Sequence, residues 1–394
     1  MALLGMVWTN LMRNKLRTIL TWLSVFVALF LFVLLHGITD TLNEAARVGS
    51  EQRLVTRNKI SLVFPLPMSQ LEKIRAVPGV SAVTWSNWFG GQDPVNPHDF
   101  FAQFAVDGPT YFPMYRKDIS IVQASPGDGP VPRGADPKLA AFLAERTACV
   151  VGDKLMERKG WKLGQTVHVA GTIYPGSWPF VIRAVYHPNV KTFDAETMFF
   201  HWDYLYENTA HRAQVGIWTF ALADPSQAAT IGKRIDAVFE NSATPTHTET
   251  ERAFQAGFVS MFGNIPFVIK FIGLAVAFSI FLVAAVTMMM AIRERTNEFA
   301  VLKTLGFDDS AIFASVLLES AALTLTAGLA GSLLAKLQLE KAGLPIPGFS
   351  TMIVHWQTVG LGLGLAVLMG LVAGMLPAWQ ASRLRIVDAL RKVG

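Results

Sequence analysis

Residues 267–290 read FVIKFIGLAVAFSIFLVAAVTMMM, and residues 291–307 continue AIRERTNEFAVLKTLGF. The first stretch is apolar apart from Lys270 and a few small polar residues, and it exceeds the roughly 20 residues an α-helix needs to cross a bilayer. Lys270 lies near one end, where its long stem lets the ammonium snorkel to water. The second stretch is charged, has helical spacing and stops at a glycine. Another apolar run opens at Ala311. A short charged helix between two membrane spans is the pattern from which the rest of the chain is read.

Three further runs have the length of a span: Thr18 to Ile38, Ala311 to Ala335, and Thr358 to Leu376, the last closed by Pro377. The first competes with a signal peptide. It is too long for an h-region and no small-x-small cleavage site follows it, so it reads as a retained span. Composition agrees with a membrane protein: 394 residues, 52% hydrophobic, 16% charged, mean hydropathy +0.37. The net charge of +5 and pI near 9.3 would also suit a nucleic-acid binder. The basic residues, however, flank the spans. Arg13, Lys15 and Arg17 precede the first, Arg293, Arg295 and Lys303 separate the second from the third, and Arg383, Arg385, Arg391 and Lys392 follow the fourth. If every run crosses, all three groups fall on one side, which the positive-inside rule makes cytoplasmic.

The predicted organisation follows. An amphipathic cytoplasmic helix over 1–17 lies on the inner leaflet, with Trp8 at headgroup depth. Spans run over 18–39, 263–291, 309–336 and 357–377, and the charged helix over 292–308. A large α+β extracytoplasmic domain of two lobes fills 40–262, a short outer loop 337–356, and a cytoplasmic tail 378–394. Within the domain, SQLEKIRAVPGVSAVTW predicts helix, turn and strand. QTVHVAG and PFVIRAVYH, separated by turn residues, predict an antiparallel pair in a β-rich part near 150–200. SQAATIGKRIDAVFE places Ile231, Ile235, Val238 and Phe239 on one helical face. SPGDGPVPRGADP predicts an exposed loop. The aromatics of WSNWFGGQDPVNPHDFF suit a partner surface or packing against a lobe. Cys149, alone and among apolar neighbours, reads as a buried structural residue.

No catalytic set stands out. His98, His168, His187, His201, His211 and His247 are scattered, with no HExxH and no Cys/His pairing at metal spacing. His187, Asp194, His201 and Asp203 are near in sequence and form a weak metal candidate beside the plainer reading of hydrogen-bonded surface histidines. ATIGKRID lacks the first glycine and the Ser/Thr of a P-loop, so any ATP-driven work is expected from a separate subunit. Glu319, in VLLESAAL, is a carboxyl inside a span and so a functional candidate facing the bundle interior or a wet crevice. A hydrogen-bonded helix contact near the inner interface is the alternative. Gly328, Gly331, Gly360, Gly364, Gly370 and Gly374 crowd the last two spans, two pairs of them in G-x-x-x-G spacing that lets helices pack closely.

RERTNEFAVLKTLGF followed by LLES resembles the hallmark of the MacB/FtsX-like family of ABC transporter permeases (type VII, exporter-like branch). RNKLRTILT, IRAVPGVSAV, NSATPTHTETERAF and LPAWQASRLRIVDALR resemble, in the same order, the family's approach to its first span, the start of its periplasmic domain, the return to the membrane and its tail. The resemblance covers essentially the whole chain. It implies four spans with a periplasmic domain between the first two, both termini in the cytoplasm of a bacterial inner membrane, and pairing with a second permease copy, identical or not. It implies an ABC ATPase on a separate chain, since residues 1–17 leave no room for a fused one, with ATP and magnesium bound there and no cofactor or nucleic acid here. A periplasmic adaptor is a further implied partner. Arg293, Glu294, Arg295, Glu298, Leu302, Lys303, Leu305, Gly306 and Phe307 would form the coupling helix that meets the ATPase. ATPase motion would pass through the spans to the periplasmic domain, exporting or extracting a substrate. A family branch that activates a cell-wall hydrolase without transport supplies the alternative.

Overall fold

The computed structural model describes residues 15–48, 50–127, 130–190, 193–261, 265–342 and 352–384. The amphipathic segment up to residue 14, most of the outer loop (343–351) and the tail beyond 384 lie outside the described residues. The chain divides into two compact units, one built on the long helices and the other on residues 42–263.

In the helical unit, four of the described helices are long and apolar enough to cross a membrane: Lys15–Val48, Ile265–Glu294, Asp309–Ala342 and Trp356–Ser382. The first and third have 34 residues each. At 1.5 Å per residue they reach about 50 Å, well beyond a hydrocarbon core of about 30 Å. Apolarity ends near Ile38, but the first helix continues to Val48. Large apolar side chains such as Phe271 and Leu274 point outward, the reverse of a soluble bundle. The interior is instead made of small residues: Ala284, Ala327, Ala366 and Ala373 pack with Val25 and Leu29. Without a hydrophobic drive between helices in lipid, close approach supplies the attraction.

Four of the six glycines stand at such approaches. A Cβ on Gly331 would lie 2.5 Å from the Phe26 carbonyl oxygen, on Gly328 2.6 Å from the Ala366 Cβ, on Gly370 2.9 Å from the Ala321 Cα, and on Gly374 2.8 Å from the Ser320 Cβ. Gly360 and Gly364 face open space. Ser320 Oγ also donates to the Gly370 carbonyl at 2.7 Å, tying the third helix to the fourth.

The first, third and fourth helices are stitched together where the third ends and the fourth begins. Lys336 Nζ donates to the Val354 carbonyl and to Glu340 Oε1, both at 2.6 Å, under the Trp356 ring. Thr41 Oγ1 accepts from Ile353 N at 3.0 Å, and Asp40 accepts from Thr358 Oγ1 at 2.5 Å.

The second unit is α+β. Its described strands are β1 (Arg53–Asn58), β2 (Leu66–Pro67), β3 (Val80–Trp88), β4 (Gly91–Gln92), β5 (Ala102–Val106), β6 (Ile119–Ala124), β7 (Ala148–Gly152), β8 (Thr166–Gly171), β9 (Gly176–Pro188), β10 (Thr197–His201), β11 (Gln214–Val215), β12 (Ile217–Leu222) and β13 (Thr246–Thr250). All but β2 and β11 join one mixed sheet in the order β13-β1-β12-β3-β5-β10-β7-β9-β8-β4, with β6 also on β9. The β5–β10 and β7–β9 pairs are parallel and the others antiparallel. The expected β8–β9 pair is present, turning through residues 172–175. A continuous sheet thus links the parts expected as lobes, over two apolar cores. One centres on Trp85, Trp202, Trp218 and Phe89, the other on Tyr111, Phe112, Phe142, Tyr186 and Phe199.

The helix Ala228–Phe239 buries Ile231, Ile235 and Phe239, while Val238 lies exposed. Val238 falls only three residues past Ile235, at the edge of the buried stripe. Of the aromatic stretch, Trp85, Phe89 and Phe101 enter the core, and Trp88 and Phe100 stack on the surface. Cys149 is fully buried, and burial pushes its thiol pKa up.

Candidate functional site

The charged segment of residues 291–307 folds as the end of one helix and the start of another. The second long helix continues to Glu294, and a separate short helix runs Thr296–Thr304. Arg295 sits at the break, outside the helical region of the backbone at φ −104°, ψ 12°. It is the centre of an ion cluster. Nη1 donates to Glu319 Oε2 at 2.9 Å, and Nε donates to Glu298 Oε2 at 3.2 Å. The guanidinium also lies 5.2 Å from the centre of the Phe299 ring. Arg295 and Glu319 are each about an eighth exposed, and Glu298 a third.

Beneath the cluster the short helix packs on apolar residues. Phe299 is buried with Ile292, Ile312, Val316, Ala378 and Ala381, and Leu302 joins partly. Ile312, Val316 and Glu319 share one helical face at spacings of four and three, so Glu319 continues the seat on which Phe299 rests. Lys303 points inward. Its Nζ donates to the Ser382 and Leu384 carbonyls at 2.5 and 3.0 Å and pairs with Asp309 at 2.7 Å. Those carbonyls belong to a helix C-terminus, where a cation is favoured. Arg17, on the first long helix, pairs with Glu294 at 2.5 Å. The segment is therefore fastened to all four long helices at one end of the bundle, where the described basic groups of the sequence gather.

The opposite face is open. Val301, Leu305 and Phe307 are exposed by 51%, 71% and 42%. Val301 and Leu305 are four apart on the helix, and Phe307 follows a Schellman ending. Phe307 N donates to the Leu302 carbonyl and Gly306 N to the Lys303 carbonyl, both at 3.1 Å. Gly306 has φ +94°, which a side chain would strain. Sequence reasoning named Glu294, Arg295, Glu298, Leu302, Lys303, Leu305, Gly306, Phe307 and Glu319, but neither Val301 nor Asp309 nor the apolar seat of Ile312, Val316, Ala378 and Ala381. It also assigned Leu302 and Lys303 to the same surface as Leu305 and Phe307, whereas the structure turns the first two inward. The i, i+4 spacing of Val301 and Leu305 was the available signal for the outward ridge.

In the second unit, the weak metal candidate separates. His187 Nδ1 lies 2.6 Å from Asp153 Oδ2, His201 Nε2 lies 2.7 Å from the Phe142 carbonyl, Asp203 pairs with Arg146, and Asp194 accepts from Thr197. Among the described residues searched, no group of three or more His, Cys, Asp and Glu is placed to hold a metal ion. Burial lowers the His201 pKa and keeps the ring neutral, against the opposing effect of its carbonyl hydrogen bond.

Sequence reasoning missed a second ion cluster, at Arg53. Its Nε donates to Glu251 Oε2 and its Nη1 to Asp118 Oδ2, both at 2.8 Å, and the guanidinium lies 4.4 Å from the Tyr115 ring centre. Tyr115 Oη donates to Glu251 Oε1 at 2.9 Å, and Ser50 N to Glu251 Oε2 at 3.1 Å. Burial alone would favour the neutral guanidine. Glu251, Tyr115 and Asp118 outweigh it and hold the pKa above the usual arginine value. Arg252 and Glu51 pair alongside at 2.5 Å. The segment leaving the first long helix is thereby braced to the one that returns toward the second.

These features define a class, a multi-pass membrane protein with a large α+β domain between its first and second spans. Residues 18–238 match the MacB-like periplasmic core domain, and residues 270–386 match the FtsX-like permease C-terminal family. The chain belongs to the MacB/FtsX-like family of ABC transporter permeases. Among curated proteins it is similar to the uncharacterized ABC transporter permease YknZ of Bacillus subtilis, 36% identical over 108 residues, 26% of each chain. It is also similar to the macrolide export ATP-binding/permease protein MacB of Chlorobaculum tepidum, 30% identical over 110 residues, 26% of this chain and 16% of that one. The chain thus spans about a quarter or less of the length of the curated relatives it matches. Among solved structures it is similar to the periplasmic region of MacB from Actinobacillus actinomycetemcomitans, with 11% identity, TM-score 0.39, and 56% of this chain and 97% of that one covered. A second is the extracellular domain of YknZ, with 13% identity, TM-score 0.36, and 50% and 98% covered.

Proposed function

We propose that this chain is the permease subunit of an ATP-driven transporter in a bacterial inner membrane. The basic end of the bundle, with both termini, faces the cytoplasm, following the positive-inside rule. An ABC ATPase on a separate chain, carrying ATP and magnesium, docks on the helix Thr296–Thr304. Two permease copies pair, and ATPase motion passes through the spans to the periplasmic domain, which exports or extracts a substrate. A periplasmic adaptor is a further partner in this reading. The observation that carries it is the ridge of Val301, Leu305 and Phe307, apolar and exposed on a helix otherwise fastened down. In the domain, the Arg53 cluster joins the segments that connect to both of the first two spans, so movement of either would reach the sheet. Similarity to MacB, an ATP-binding/permease protein that unites both parts in one chain, supports an ATP-driven role.

The test is capture of the ATPase encoded beside this chain. Leu305→Asp with Phe307→Ser is expected to weaken the complex by about thirty-fold, the loss typical of an interface hot spot. ATP hydrolysis stimulated by the permease falls with it. Unchanged binding by this variant refutes docking on the ridge.

A further inference from the structure

We propose that Glu319 is a positioning residue for the docking ridge, acting through Arg295. The proposal rests on the docking reading above and deepens it. Glu319 lies ten residues into a helix that starts at Asp309, about 15 Å from that end. A carboxylate at such depth needs a partner, because an unpaired charge there is costly. Its partner is the one residue at the break between the second span and the docking helix. The guanidinium fork makes the contact directional. One edge reaches Glu319 and another reaches Glu298, on the first turn of the docking helix, while the plane faces Phe299. These three contacts determine how the helix leaves the break.

The consequence concerns angle more than attachment. The Lys303 bonds to the Ser382 and Leu384 carbonyls hold the far part of the helix down, and the Phe299 seat holds its middle. The near part, around Thr296 and Asn297, is held by the Arg295 side chain and by the Thr296 hydroxyl, which donates to the Arg293 carbonyl at 2.9 Å. With Glu319 neutralised, Arg295 keeps only Glu298 and the Phe299 ring, both on the moving helix itself. The ridge then turns about its far anchor, and a push on Leu305 and Phe307 is absorbed at the break before it reaches the third span.

Two readouts test this on the full-length chain in lipid nanodiscs. A spin label at exposed Asn297→Cys reports mobility of the near part, with buried Cys149 left unlabelled. Glu319→Gln and Arg295→Gln are each expected to mobilise the label, and the double variant no more than the larger single effect, because the two residues act as a pair. In complex with the ATPase, the same variants are expected to retain the partner while the coupled hydrolysis rate falls roughly ten-fold. Arg295→Lys keeps the charge but loses the fork, and is expected to give an intermediate effect, which preserves the test if Glu319→Gln fails to fold. A label that stays immobile in Glu319→Gln, or effects that add in the double variant, overturns the proposal. A wild-type chain that captures no ABC ATPase refutes the docking reading, and the label then decides by itself whether Glu319 sets the helix angle.

Discussion

Arg53 and Arg295 are built into the same constellation in two different units. Each guanidinium bridges two carboxylates and faces an aromatic ring: Glu251, Asp118 and Tyr115 around Arg53, and Glu319, Glu298 and Phe299 around Arg295. They differ in where the partners come from. Those of Arg53 stand 65 and 198 residues away, and a backbone amide and a phenol complete the set. Those of Arg295 stand three and 24 residues away. The first cluster closes long loops inside a sheet whose register is fixed on both sides of β1. The second sits at a break between consecutive helices. The same chemistry therefore serves a brace in one place and a hinge in the other, and substitutions separate the two roles.

The largest expected effect is on the brace. Arg53→Met leaves Glu251 and Asp118 without their shared cation, with side chains only 10% and 19% exposed. Breaking a buried pair this way costs about 3–5 kcal/mol. Denaturant unfolding of the full chain, followed by tryptophan fluorescence from the Trp85–Trp202–Trp218 cluster, measures it. Removing the carboxylates as well, as Arg53→Met with Glu251→Gln and Asp118→Asn, is expected to recover most of the loss. Arg295→Gln is expected to leave that transition in place. An equal loss from both arginines would end the distinction between brace and hinge.

The difference also explains what the sequence reveals. The spans, the charged helix and the inserted domain were legible because hydropathy and charge act over short windows. The β8–β9 hairpin was legible because its partners are adjacent. Arg295, Glu298 and Glu319 were each singled out, but separately, and nothing in their spacing said that one guanidinium would hold both carboxylates. Lys303 looked like a surface charge because the carbonyls that receive it, at Ser382 and Leu384, lie about 80 residues downstream. Arg53 was not legible at all. Nothing in the stretch RLVTRN that it opens marks it out, and only the strand order β13-β1-β12 brings Glu251 to it. Local pattern finds elements, and long-range closure decides which charges are buried.

A smaller effect is expected within the helical unit, where glycines divide as the arginines do. Gly331→Ala would set a methyl 2.5 Å from the Phe26 carbonyl oxygen, backbone that has no rotamer to yield. Overpacking of this kind costs about 1–3 kcal/mol, read as thermal unfolding of the full chain in detergent.

Gly360 and Gly364 are the sharper case because the expected sign reverses. A Cβ at either meets nothing within 4 Å in the single chain. Replacing an unencumbered helical glycine by alanine removes a conformational entropy penalty and stabilises by about 0.5–1 kcal/mol. Gly360→Ala with Gly364→Ala is therefore expected to raise the melting temperature of the monomeric chain slightly, opposite to Gly331→Ala. If the two glycines instead admit a second copy at close range, the same double variant lowers the monomer–dimer association constant, because the added methyls hold the helices apart. Melting temperature and association constant, measured on one sample series in detergent, assign these positions to the lipid face or to the interface between copies.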